Sequence, residues 1–413
     1  MSEQVVALAV FVVCFALLIA RKVKIAYVAL ASAAVLLLTG TVGPSQALDS
    51  IDWNVLGVYW GFGVLSIALA QSGIPSLIAL HLLRRAKEER YAIFYLCCLA
   101  VFLSSFMPNP LVVLLLAPVC VEVARRVGTS LFEYLIPVAI SSNVATTITM
   151  VADPPALILA EKTGMRFLDF YWFHSKLGIG TLSAVGASMF LLTLFLIFRS
   201  KRGKISFQEE ELKVSYGASF LFVAGVLALS FSPHPPGLVG LAVGLGSLLL
   251  YPGGLHRTLR EFDWETFLFI LGLFVVVGSL ELTGLTSSFA ERLAGLAIRN
   301  PSVLLALFIW MSVALSSFID NVPYTLLMIP VCKNLASAVS MDSLPLLYGM
   351  VVGTGIGGNI LPIGATANVI ACGMLEKRGH KIRLREYLRL SVPPTLVAVG
   401  TVQVLLQTLW LLR

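Results

Sequence analysis

Two segments separated by 212 positions repeat one another, and both set polar, helix-breaking residues inside apolar runs. Ser104-Ser105-Phe106-Met107-Pro108-Asn109-Pro110 is answered by Ser316-Ser317-Phe318-Ile319-Asp320-Asn321-Val322. At the same offset, Asn143-Val144-Ala145-Thr146-Thr147 through Asp153-Pro154-Pro155-Ala156 is answered by Gly355-Ile356-Gly357-Gly358-Asn359 through Ala365-Thr366-Ala367-Asn368. A shared offset implies two copies of one structural plan. Duplicated polar breaks in apolar segments point to a solute site at mid-membrane.

Composition agrees. Of 413 residues, 58% are hydrophobic and 12% charged, whereas soluble domains carry about 25% charged residues. Repeated apolar runs then read as membrane crossings. The net charge of +7 fits basic cytoplasmic loops and not a nucleic-acid partner. The six cysteines sit in apolar runs as small packing residues, and the histidines are scattered. No resident metal or cofactor is expected. The apolar N-terminal stretch reads as a first membrane helix and not a cleaved signal.

The runs predict an all-α polytopic membrane protein made of two inverted-topology repeats, residues 1–200 and 216–413, joined by a cytoplasmic linker at 201–215. Each repeat is expected to cross five times and to hold a re-entrant hairpin (91–124 and 302–339) and a broken helix (131–161 and 344–375), with a full helix over about Lys176–Phe198, an amphipathic stretch over Thr286–Asn300 and a last helix over Val392–Leu412. The arm Leu111–Ala124 would span only roughly 21 Å as a helix, short of about 30 Å of hydrocarbon. Two short crossings would give the same sidedness. Five crossings per repeat turn the second repeat upside down. With the N-terminus outside and the protein in the cell membrane, most of the 29 basic residues fall inside.

Pro108, Pro110 and Pro323 forbid continuous helix at the hairpin tips. Pro154-Pro155, Gly357-Gly358, Pro362 and Gly364 do the same in the broken spans. Half-helix N-termini suit an anion, and freed carbonyls suit sodium. Asn109, Asn143, Thr146, Thr147, Asn321, Asn359, Thr366 and Asn368 are the candidate substrate-binding residues. Asp153 and Asp320, with Asn321, Gly358 and Asn359, are the candidate cation-coupling residues. An ionised Asp in hydrocarbon costs about 2.5 kcal/mol or more, so a bound cation or proton is its natural partner. Lys333 is expected to snorkel to the outer surface.

These residues resemble the ion transporter superfamily, which includes divalent anion:sodium symporters, citrate–metal carriers, arsenite permeases, sodium/proton antiporters and the melanosomal P protein. Ser317 through Tyr324 resembles the second hairpin tip of that superfamily, and Gly357-Gly358-Asn359 through Asn368 its second helix break. Asp153-Pro154-Pro155 stands where the first break usually reads Gly-Asp-Pro-Pro-Asn. The resemblance implies a homodimer with a fixed scaffold and a mobile unit that carries solute by an elevator motion. It also implies sodium or protons bound between tip and break in each half. Pro108-Asn109-Pro110 and Asp320-Asn321-Val322 replace the Ser-Asn-Thr tips of the dicarboxylate branch.

The expected function is secondary transport of a small inorganic or organic anion, coupled to sodium or protons. Sodium/proton antiport and arsenite-type efflux are the alternatives. An enzyme is not expected. An intramembrane aspartyl protease needs two acids sharing a proton on continuous helices, whereas here one acid precedes Pro-Pro and the other sits in a turn.

Overall fold

The computed structural model describes residues 3–20, 22–205, 214–250, 255–294 and 300–411. Residues 206–213 of the expected linker and 295–299 of an expected amphipathic stretch lie outside the described residues. Most of the described chain is helical, and its strands are the two of a short hairpin, β1 (Trp172–Phe173) with β2 (Lys176–Leu177).

The first half opens with α1 (Glu3–Ala20), α2 (Ile25–Leu38) and the short α3 (Pro44–Ser50), then α4 (Trp53–Gln71). Next come α5 (Ile74–Arg85), the pair α6 (Glu89–Ser104) and α7 (Asn109–Val127), the half-helices α8 (Phe132–Val144) and α9 (Pro154–Thr163), and α10 (Ile179–Ile197). The second half follows with α11 (Gly217–Phe231), α12 (Pro236–Leu250), α13 (Leu255–Glu261) and α14 (Trp264–Leu282). It continues through α15 (Leu285–Ala294), the pair α16 (Pro301–Ser316) and α17 (Asn321–Ala338), the half-helices α18 (Leu344–Gly357) and α19 (Thr366–Glu376), and α20 (Leu384–Leu406). Among the described residues five helices are long and apolar enough to cross a membrane, α1, α4, α10, α14 and α20 with its C-terminal extension. The protein is a multi-pass membrane protein.

Helices pack in matching pairs. α4 packs on α12 as α14 packs on α2, so the third long element of one half meets the second of the other. α7 meets α19 as α17 meets α9, and α6 meets α8 as α16 meets α18, while α10 and α20 pack on each other. The α4–α12 seam depends on bare backbone. A Cβ on Gly61 would sit 1.8 Å from the Gly240 carbonyl oxygen, so only glycine allows this approach.

Hydrogen bonds fix the ends of the hairpins. At one end of α10, Lys201 pairs with Glu133 and the Glu89 N–H donates to the Gly203 carbonyl at 2.8 Å. Tyr134 donates to Glu89 at 3.0 Å and bonds Thr129 at 3.2 Å, which brings the start of α6 and the end of α7 together there. At the other end, Trp410 Nε1 donates to the Leu177 carbonyl at 3.0 Å, and Gln407 ties the start of α16 through the Ser302 carbonyl at 3.1 Å. The α6–α7 and α16–α17 pairs thus open toward opposite ends of α10.

Three elements differ from expectation. α7 has 19 residues, so its roughly 28 Å length nearly matches the bilayer; it extends past both ends of the expected arm, over Asn109-Pro110 and Arg125-Arg126. The helix expected from Lys176 begins at Ile179, because Lys176 pairs with Phe173 in the β-hairpin. The last helix starts at Leu384 and runs through Pro393-Pro394, where neighbouring packing tolerates the lost hydrogen bonds.

Candidate functional site

The two breaks and two hairpin tips surround a cavity of about 440 Å³. α8 stops at Val144 and α9 starts after Asp153; α18 stops at Gly357 and α19 starts after Ala365. Gly364 and Gly358 pass so closely that a Cβ on Gly364 would meet the Gly358 oxygen at 2.5 Å, which keeps the second break open to backbone only.

Asn109, Asn143, Thr146, Asp153, Asp320, Asn321, Gly358 and Thr366 all line the cavity. Thr147, Asn359 and Asn368 do not; they lie behind the wall, fully buried. Thr147 bonds Ser183 at 2.7 Å. The asparagines form a chain linking the halves. Asn109 Nδ2 donates to Asn143 Oδ1 at 3.3 Å, and Asn143 Nδ2 donates to Asn359 Oδ1 at 2.9 Å and Asn368 Oδ1 at 3.0 Å. Asn359 Nδ2 donates on to the Ile140 carbonyl at 2.9 Å and Asn368 Nδ2 to the Gly358 carbonyl at 3.0 Å. Both amides behind the wall are spent on backbone carbonyls, one near the end of α8 and one at the second break, which satisfies groups that lipid cannot.

The acids meet across the halves. Asn321 Nδ2 donates to Asp153 Oδ2 at 2.9 Å, joining the tip of α16–α17 to the first break. Asp320 precedes Asn321 and caps α17, accepting from the Val322 N–H at 3.0 Å. Lys333 reaches the end of α9, donating to the Lys162 carbonyl at 2.6 Å.

Three wall features escaped the sequence reading. Glu261 and Asp263 add two carboxylates at the rim, and among the described residues no Lys, Arg or His lines the cavity. Arg257 engages Glu261 at 2.7 Å from outside that lining. Thr354, with Asn109 and Thr146, brings to the wall a buried side-chain oxygen that has no hydrogen-bond partner among the described residues. Tyr59 and Phe269 face these groups from α4 and α14. Asp263 carried a signal, since Asp263-Trp264 matches Asp52-Trp53; Thr354 and Tyr59 carried none.

Helix N-termini offer the cavity few donors. α9 begins Pro154-Pro155, and α7 has Pro110 in its first turn, as α17 has Pro323. α19 begins Thr366-Ala367 and keeps both N–H groups.

A profile of the citrate transporter family matches residues 15–353. Two uncharacterized transporters of Mycobacterium tuberculosis are similar over 96% of both chains, one 29% identical over 414 residues and one 30% identical over 423. The P protein of Homo sapiens is 25% identical over 444 residues, covering 86% of this chain and 53% of its own length. In fold the chain is similar to the crystal structure of the Alcanivorax borkumensis YdaH transporter. The TM-score is 0.61 at 13% identity, covering 99% of this chain and 98% of that one.

Proposed function

Since this chain belongs to the citrate transporter family, within the ion transporter superfamily, we propose that it is a secondary transporter whose obligatory cargo is a cation. That cation is a sodium ion or proton held at Asp153, Asn321 and Asp320. The observation that carries this reading is the wall itself, which among the described residues holds four carboxylates and no basic side chain. Asp153, held through Oδ2 by Asn321, sits deep on this low-dielectric wall, where a positive charge beside it is favoured. Prolines in the first turn of three of the four helices that start at the cavity, α7, α9 and α17, reduce the donors an anion would use.

The halves act as inverted repeats in this reading, with α4, α12, α2 and α14 as a fixed seam and the hairpins, broken helices, α10 and α20 as a carriage. The reciprocal packing pairs and the opposite-facing hairpins support it. So does the position of the cavity, which lies between the two units. Elevator motion would expose the cavity to each side in turn.

The direct form of this function is sodium/proton exchange. A second reading, cation-coupled movement of a small carboxylate or oxyanion, draws on the free N–H groups of Thr366 and Ala367. Vesicles holding the purified protein and a pH dye separate them. Exchange predicts that an imposed sodium gradient alone changes lumenal pH. The second reading predicts a change only when an anion such as citrate, succinate, sulfate or arsenite is present. No response to sodium or pH gradients with any anion would refute both.

A further inference from the structure

Packing repeats between the halves with a few exceptions, and one of them lies beside the cavity. α4 packs against α9, while among the described residues no comparable packing joins their counterparts α14 and α19, although all four helices contribute lining to the cavity. At the α4–α9 contact, Asn54 Nδ2 donates to Glu161 Oε2 at 3.2 Å, and Lys162 Nζ lies 3.9 Å from Asp52 Oδ2. The Gly237 N–H of α12 donates to Asn54 Oδ1 at 3.1 Å, and Lys333 of α17 holds the Lys162 carbonyl at 2.6 Å. The contact therefore ties the seam helices to the helices that carry the deep acids.

The opposite end of the molecule holds the same parts unassembled. Asp263 caps α14 as Asp52 caps α4, each accepting from the N–H three residues on, at 3.0 and 3.2 Å. α19 ends at Glu376 and Lys377, three positions beyond the places that the offset of 212 gives to Glu161 and Lys162 near the end of α9. Asp263 stands on the cavity rim, its second oxygen accepting from Thr266 Oγ1 at 2.6 Å. Lys377 is exposed and makes no ion pair among the described residues. Glu265 occupies the place of Asn54, so Lys377 would meet two acids, Asp263 and Glu265.

We propose that Asp263 and Lys377 are the second of two alternating latches. The Asp52–Lys162 and Asn54–Glu161 contact holds the state seen here. The Asp263–Lys377 contact closes when the carriage moves and α19 comes down on α14. The two exclude each other because closing the second fills the space now taken by the cavity mouth. This inference rests on the alternating-access reading above. Exposed ion pairs are weak, so each latch biases the two states by about twofold to fivefold and does not freeze either.

The test uses the full chain with Leu114→Cys as reporter, since Leu114 lines the cavity and is 49% exposed. An impermeant maleimide is applied from each side of sealed vesicles of known orientation, with the chain lacking the reporter as background. Lys162→Met should lower labelling from the Glu261–Asp263 side about twofold to fivefold, and Lys377→Glu should raise it by a similar factor. Asp263→Lys with Lys377→Asp should restore the original ratio; both sites are exposed, so folding is checked by elution as a single species. Unchanged labelling in Lys377→Glu, or a swap that fails to restore it, overturns the latch. Labelling of the unsubstituted reporter chain from one side only, under every gradient, refutes the transport reading itself.

Discussion

Asn143 ties the two halves of the site together, and replacing it with Ala should loosen both breaks at once. The substitution removes three side-chain hydrogen bonds, to Asn109, Asn359 and Asn368. Interhelical hydrogen bonds in membranes are worth about 0.6 kcal/mol on average and up to about 1.7. Three of them give roughly 2 kcal/mol, with roughly 5 as the ceiling. The floor is firmer than usual here. Asn359 and Asn368 are fully buried, and rotating their amides to find new donors would break their bonds to Ile140 and Gly358. A loss of about 2 kcal/mol is roughly thirtyfold in the unfolding equilibrium. Asn143→Asp should be at least as damaging, since it replaces the shared donor with an acceptor facing two carbonyl oxygens. Thermal unfolding in detergent, followed by the burial of the native cysteines, reads the difference. An Asn143→Ala protein that melts with the parent would show that the amide chain does not carry the junction.

Other substitutions test separate parts of the account. Gly61→Leu should prevent the α4–α12 seam from closing, because even a Cβ would overlap the Gly240 carbonyl; loss of monodisperse protein on gel filtration is expected, well beyond the ~1–3 kcal/mol of ordinary overpacking. Gly355→Ala places a methyl 2.2 Å from Thr146 Oγ1, so the hydroxyl must leave the wall; folding should persist while the apparent affinity for the coupling cation falls severalfold in a flux assay. Asp52→Ala removes the cap on the Val55 N–H and should cost about 1 kcal/mol of stability, visible in the same melting experiment.

Much of the architecture was legible in the sequence because membranes allow so few ways to satisfy a backbone. Pro108, Pro154-Pro155 and Gly357-Gly358 favour interrupted helices, and the structure breaks at each of them, whereas α20 runs on through Pro393-Pro394. What local pattern could not supply was side-chain direction inside the breaks. Asn359 and Asn368 read like their neighbours Gly358 and Thr366, yet they turn behind the wall because Asn143 claims them from the other half. The pairing of Asp153 with Asn321 was hidden for the same reason, since it joins positions 168 apart. The short helices α3 and α13 also went unread: each is a single apolar-poor turn or two before an Asp-Trp pair, too brief to show periodicity. Acids at the rim were visible as residues but not as lining, because Asp263 reads locally as an ordinary helix cap.

The proposed cargo stands or falls with the two deep carboxylates. Protein adsorbed on a solid-supported membrane can be given a sodium or pH jump, and the charge moved in each jump recorded. The parent should show a transient current, and Asp320→Asn and Asp153→Asn should each abolish it while eluting as folded protein. A current of parental size in either variant would contradict the assignment of a cation to that wall.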